Sequence, residues 1–105
     1  SNRLTAEFLA DVLVKMAKDA DYVSFFPMAG VEGTVKSFLK DTPLEDYIAL
    51  KTGSMNGIQC YAGYKLDDEY APTHVVVVMI NELPQGRPAA KNAVKKMLID
   101  TFEKQ

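Results

Sequence analysis

The sequence has a single cysteine, no long apolar segment and no excess of basic residues, and each absence excludes a class of protein. Because Cys60 is alone, the chain can form neither an internal disulfide nor a cluster of thiolates around a metal. The longest apolar run, from Val75 to Ile80, is far shorter than the roughly 18 residues of a membrane-spanning helix. Twelve basic and fourteen acidic residues give a net charge of -2 without a basic patch, which argues against a nucleic-acid partner.

The length of 105 residues allows one domain with one modest core. The sequence does not open with a basic segment followed by an apolar stretch, which is the pattern of a signal peptide. It begins with Ser1 rather than Met. We therefore expect an excised or processed segment whose address signal lies upstream. We expect no cofactor and no metal, since the acidic segment DDEY lacks the alternating oxygen ligands of a calcium loop.

Apolar periodicity predicts a helix near each end of the chain. Between Leu4 and Asp19 apolar residues recur at the spacing of a helix with one buried face, and Thr5 is the expected N-cap. Pro88 is suited to the first position of a C-terminal helix with a second apolar face. Proline and glycine interrupt residues 22–33, which predicts an irregular connection, and GTVKSFL after it is expected to form short helical turns.

Three segments between these helices predict a β-meander. Residues 47–53 and 58–66 form a hairpin around the turn signal Asn56-Gly57. The third strand, residues 73–81, is apolar on both faces, as expected of a strand in the middle of a sheet with helices on each side. The sequence therefore predicts an α+β fold, a three-stranded antiparallel meander flanked by N- and C-terminal helices.

The tripeptide Lys51-Thr52-Gly53, at the end of the first predicted strand, has the chemistry of a carboxylate site. A cation and a hydroxyl can hold a substrate carboxylate, and a glycine leaves room for a substrate backbone beside the strand. The N–H of Ser54 can face the oxyanion that develops in an acyl-transfer reaction. On its own, however, such a tripeptide is more often a solvated strand end that enters a turn.

The surroundings of the tripeptide resemble one known family. The segments FFPMAGVEGTVKSFL and ALKTGSMNGIQCYAGY, followed by the run of valines, closely resemble the C-terminal part of the class C low-molecular-mass penicillin-binding proteins, which are serine-type D-alanyl-D-alanine carboxypeptidases and endopeptidases. The resemblance extends from about Asn2 to the final helix, in the family's order and approximate spacing. The sequence departs from the family pattern at Leu50, Cys60 and Tyr61. None of these residues takes part in the substrate contacts expected of residues 51–54.

The resemblance implies that residues 1–105 are the C-terminal part of a penicillin-binding domain, incomplete alone and a fragment of a β-lactamase/transpeptidase-like five-stranded sheet. It implies that Lys51 is the catalytic-site residue of this chain and that it holds, with Thr52, the terminal carboxylate of a peptidoglycan stem peptide or a β-lactam. Gly53 would line the cleft and Ser54 would supply an oxyanion-hole N–H. The implied location is the bacterial periplasm or cell envelope.

Enzymes of this kind also need a Ser-x-x-Lys and a Ser-x-Asn motif. Ser37 and Lys40 match the first pattern and Ser54 and Asn56 the second, but Ser54 and Asn56 follow Lys-Thr-Gly on the same strand and cannot form the opposite wall of a cleft. We interpret both matches as coincidences and expect the chain alone to be inactive. We also expect an exposed edge of the valine-rich strand to pair with the missing N-terminal part of the protein or with another copy.

A protein of a different class also fits the element order: a small non-enzymatic α+β interaction module in which Lys-Thr-Gly is only a turn. Such a module would be a monomer that unfolds cooperatively and independently of concentration, with its valine-rich strand covered by its own helices. Residues upstream of Ser1 that encode a Ser-x-x-Lys and a Ser-x-Asn, in that order, would favour the enzyme.

Overall fold

Three helices and one three-stranded sheet make up the fold of the computed structural model over the residues that it describes, 2–30, 35, 37–55, 57–81 and 86–103. The helices are α1 (Asn2–Met16), α2 (Ala20–Ser24) and α3 (Arg87–Glu103). The strands are β1 (Ile48–Met55), β2 (Ile58–Leu66) and β3 (Pro72–Asn81). The predicted α+β class and the antiparallel meander are confirmed.

The strand order in the sheet is β1-β2-β3, and both neighbouring pairs are antiparallel. Lys51 pairs with Ala62, and Ala62 pairs in turn with Val77, so one rung crosses all three strands. The valine-rich strand β3, predicted for the middle of a sheet, lies at an edge within the described residues, and β2 is central. Both faces of β3 nevertheless pack against the core, since Val76 and Val77 contact different hydrophobic clusters.

The two hydrophobic clusters lie on opposite faces of the sheet. The cluster on the α3 face includes side chains from α3 and all three strands, among them Leu50, Tyr61, Val76, Val94 and Leu98. The cluster on the α1 face includes side chains from α1, α2, β1 and β2, among them Leu13, Val23, Ala49, Tyr64 and Leu66. Successive residues of a strand point to opposite faces, so β1 contributes alternately to the two clusters.

Tyr64 fastens α1 to the sheet. Its side chain is fully buried, and its hydroxyl donates a hydrogen bond of 2.6 Å to the carbonyl oxygen of Leu13 in α1. The ring of Phe26, which follows α2, meets the ring of Tyr64 edge-on with 5.4 Å between centroids. Burial raises the pKa of the Tyr64 hydroxyl. This one side chain therefore connects α1, the segment after α2 and the central strand.

Gly63 allows β1 and β2 to pair closely. It lies opposite Leu50, and a Cβ atom at position 63 would be 1.8 Å from the carbonyl oxygen of Ala49. Any side chain there would collide with the backbone of β1, so the pairing of the two strands depends on this glycine.

The helix boundaries differ from those predicted. α1 already includes Thr5, which is therefore not its N-cap. The short helix α2 occupies part of the region predicted to be irregular, and the Asp19 carboxylate caps it by accepting a hydrogen bond of 3.1 Å from the N–H of Tyr22. α3 begins one residue before Pro88. The strand β1 extends beyond its predicted end at Gly53.

The helical turns predicted in GTVKSFL lie partly outside the described residues, as does Asn56 of the predicted hairpin turn. Val35 and residues 37–40 form turns, in which the N–H of Phe38 donates a hydrogen bond of 3.0 Å to the carbonyl oxygen of Val35. Phe38 is buried and stacks on Tyr61 with 5.8 Å between ring centroids. The segment thus belongs to the core on the α3 face.

Candidate functional site

Lys51, Thr52 and Gly53 lie within β1 rather than at its end. The strand continues through Ser54 to Met55, and all of these residues pair with β2. The tripeptide is therefore part of a strand and not of a turn.

Neighbouring residues of β1 place the cation and the hydroxyl on opposite faces of the sheet. The exposed side chain of Lys51 lies on the α1 face, like Ala49. The half-buried side chain of Thr52 lies on the α3 face, like Leu50. A single ligand group can contact both only by lying at the outer edge of β1, which is the edge away from β2.

Residues 27–29 cover the first part of this outer edge. The N–H of Leu50 donates a hydrogen bond of 3.0 Å to the carbonyl oxygen of Pro27. Backbone groups alternate in direction along an antiparallel strand, so those of Thr52 and Ser54 point the same way as those of Leu50. The N–H groups of Thr52 and Ser54 therefore face the outer edge further along β1.

Gly53 occupies an open position on the strand. A Cβ atom at position 53 would meet no atom of the described chain within 4 Å, in contrast to Gly63. Its backbone is that of an ordinary strand residue, so the fold does not require glycine here. The missing side chain leaves space for a ligand beside β1.

Thr52 lines a cavity of about 410 Å³ on the α3 face. Its other lining residues include Tyr61 and the buried Gln59 on β2, and Lys91 on α3. The ammonium of Lys91 lies 6.0 Å from the centre of the Phe38 ring, which also lines the cavity. Burial raises the pKa of Tyr61. The lining of the cavity thus combines a cation, polar groups and aromatic rings.

A larger cavity, of about 680 Å³, lies on the α1 face near the start of β1. Its lining comes from the residues that follow α1, from α2, from the start of β1 and from the turn between β2 and β3, and includes Ala17, Val23, Ala49 and Tyr70. None of the site residues predicted from the sequence lines it. Cavity size alone therefore does not identify the site that the sequence predicts.

The described residues contain no group of three or more histidine, cysteine, aspartate or glutamate side chains that could hold a metal ion. Within the same part of the chain, no helix is long and apolar enough to cross a membrane. Cys60, opposite Gly53, is half-buried, and burial raises the pKa of its thiol. The chemistry available along β1 is that of an anion site, made of an ammonium, hydroxyls and backbone N–H groups.

Two residues beside Thr52, Gln59 and Lys91, were not singled out from the sequence. The position of Gln59 could have been predicted from the hairpin, because a two-residue turn fixes the strand register and places Gln59 opposite Ser54. No local pattern points to Lys91, because only the packing of α3 against the sheet brings it to the cavity.

Comparisons with known proteins point to one family. The family model described as D-Ala-D-Ala carboxypeptidase 3 (S13) matches residues 1–104. A crystal structure of penicillin-binding protein 4 from Haemophilus influenzae is similar to 89% of this chain, with a TM-score of 0.69 and 27% sequence identity. This chain spans 23% of the length of that structure. No curated protein sequence matches the chain.

Proposed function

The chain belongs to the D-Ala-D-Ala carboxypeptidase 3 (S13) family and has the fold of part of a transpeptidase-like domain, and from this premise we propose that it supplies one wall of the active site of a serine-type D-Ala-D-Ala carboxypeptidase. The wall is β1, with Lys51, Thr52, Gly53 and Ser54 along it. The substrate is a peptidoglycan stem peptide, for which a β-lactam substitutes. The place of action is the bacterial periplasm or cell envelope.

The position of Lys51 and Thr52 on either side of the outer edge of β1 is the observation that carries this proposal. A substrate carboxylate at that edge accepts hydrogen bonds from the Thr52 hydroxyl on one face and from the Lys51 ammonium on the other. Hydrogen bonds between an ammonium and a carboxylate are about twice as strong as neutral ones. The exposed Lys51 side chain has four rotatable methylene groups with which to reach the edge.

The backbone of the same edge fits acyl transfer. With the substrate extended beside Gly53, its scissile carbonyl oxygen faces the N–H of Ser54, which is one donor of an oxyanion hole. A donor of this kind acts on the charge that develops in the transition state, and loss of one costs about 100- to 1,000-fold in rate. The open space at Gly53 supports this path for the substrate.

The nucleophile of the proposed reaction comes from polypeptide outside this chain. Ser37 and Lys40 have the spacing of a nucleophile motif, but both are exposed in a turn and neither lines the cavity beside Thr52. Ser54 stands on the same strand as Lys51 and cannot face it across a cleft. The isolated chain should not react with penicillin, and mixing it with the N-terminal part of the protein should restore the reaction.

The outer edge of β3 is suited to a further strand. Within the described residues β3 pairs only with β2, and its segment from Val75 to Ile80 has no charged residue. A long apolar edge without charge is a template for strand addition. We propose that a strand of the same protein from outside this chain pairs here, and that a second copy takes its place when the chain is isolated.

Acylation of the natural full-length protein by a labelled penicillin tests the role of β1. The wild-type protein should be labelled, and Lys51→Ala should slow labelling by about 10- to 100-fold, as expected for the loss of a hydrogen bond to a charged group. Lys96→Ala is the matched control, because it removes the same charge from an exposed ion pair with Asp100 on α3. Labelling that is insensitive to Lys51→Ala would refute the role of Lys51, and an unlabelled wild-type protein would refute the enzymatic role.

A further inference from the structure

The cavity beside Thr52 has a cation of its own. Lys91 reaches it from α3 and shares its wall with Thr52, Gln59 and Tyr61. We propose that Lys91 is a second cation for the terminal carboxylate of the substrate, which makes this cavity a carboxylate subsite that selects anionic substrates. The inference rests on the proposed function of β1, and it adds a specificity residue from a different element.

The environment of Lys91 favours an anion in the cavity. Lys91 is half-buried and its ammonium lies over the ring of Phe38, and the described lining residues include no acidic side chain. An aromatic ring attracts the ammonium but leaves its positive charge in place. Lys96, further along α3, shows the contrast, since its ammonium is 2.9 Å from a carboxylate oxygen of Asp100. Among the described lining residues, none offsets the charge of Lys91 at the cavity wall.

The two cations lie on opposite faces of the sheet. Lys51 lies on the α1 face, whereas Thr52 and Lys91 share a cavity on the α3 face. A carboxylate offers two oxygens with about four acceptor positions, so the Thr52 hydroxyl and two ammonium groups can bind it together. The rings of Phe38 and Tyr61 lower the local exposure to water, which strengthens the attraction between Lys91 and an anion.

Acylation kinetics of the natural full-length protein with two penicillins test this inference. One penicillin carries its free carboxylate, and the other carries the same carboxylate as a methyl ester. Lys91→Met removes the charge but keeps an unbranched apolar side chain over Phe38, and it should slow acylation by the free acid about tenfold. The rate with the methyl ester should be unchanged. Lys91→Arg keeps the charge and should retain most of the selectivity, and Lys96→Met is the control for a charge lost elsewhere on α3.

The outcomes separate this inference from the proposed function. An equal loss of rate with both penicillins would show a structural role for Lys91 and overturn the inference, as would unchanged rates with both. Either result leaves the proposed function standing if Lys51→Ala still slows acylation. A wild-type protein that neither penicillin acylates would overturn the inference together with the proposed function.

Discussion

Substitution of alanine for Gly63 should destabilise the fold and substitution of alanine for Gly53 should not, although both glycines lie in the same hairpin. A Cβ atom at position 63 would lie 1.8 Å from the carbonyl oxygen and 2.9 Å from the carbonyl carbon of Ala49. Both of these are backbone atoms of β1, so no change of side-chain rotamer can relieve the collision. A Cβ atom at position 53 would meet nothing within 4 Å in the described chain.

The size of each effect follows from these contacts. Overpacking costs about 1–3 kcal/mol where neighbouring side chains can yield. At Gly63 the backbone of β1 must itself move away from β2, so we expect Gly63→Ala to lower the free energy of unfolding by about 3 kcal/mol or more, a large part of the 5–15 kcal/mol typical of a folded protein. Gly53→Ala should change it by no more than about 0.5 kcal/mol, as for an ordinary surface substitution.

Urea unfolding and penicillin labelling of the two full-length variants distinguish the roles. Gly53→Ala should unfold at the wild-type urea concentration but label slowly, because its methyl group fills the space proposed for the substrate backbone. Gly63→Ala should unfold at lower urea concentration and also label slowly, because β1 is displaced. A wild-type unfolding midpoint for Gly63→Ala would refute the close approach of the strands. Wild-type labelling of Gly53→Ala would refute the proposed path of the substrate.

Two further predictions concern the attachment of α1 and the edge of the sheet. Tyr64→Phe should lower the free energy of unfolding by about 1–3 kcal/mol in urea, because the carbonyl oxygen of Leu13 loses its buried donor. Since burial raises the pKa of Tyr64, its contribution is complete below the pKa of an unfolded tyrosine, about 10, and is lost as the pH rises through the folded pKa; Tyr64→Phe should reduce that alkaline loss of stability. The uncharged edge of β3 predicts that the isolated chain self-associates in sedimentation, and a strictly monomeric species at high concentration would count against strand addition there.

Strong local patterns predicted the strands better than their ends. The bounds of β2 match the prediction, since its alternation and the following turn are clear in the sequence. The predicted end of β1 is Gly53, but pairing with β2 extends the strand to Met55. The helix α2 was missed because five residues are too few to show a helical period. Its cap at Asp19 and the burial of Val23 hold it in place instead.

Part of the candidate site follows from neighbouring residues in the sequence, and part depends on tertiary packing. Lys51, Thr52 and Gly53 are adjacent in the sequence, and their residue types together with the resemblance of the surrounding segments led to the prediction of a carboxylate site on β1. The sequence did not predict that their strand continues beyond Gly53, nor that Lys91, on another element, lines the same cavity as Thr52. Such approaches depend on how α3 packs against the sheet, which the periodicity of a helix does not specify.

Pro27 ends the pairing between the two segments that carry the family resemblance. Its carbonyl oxygen accepts a hydrogen bond from the N–H of Leu50, but proline has no N–H with which to return one. The preceding residue, Phe26, turns to the α1 face and packs on Tyr64. The segment therefore leaves the outer edge of β1 at Leu50 and does not extend to Thr52. In the proposed function a substrate strand begins where Pro27 stops, so the segment that contains Pro27 would set the start of the edge along Lys51, Thr52 and Gly53 at which the substrate is proposed to bind.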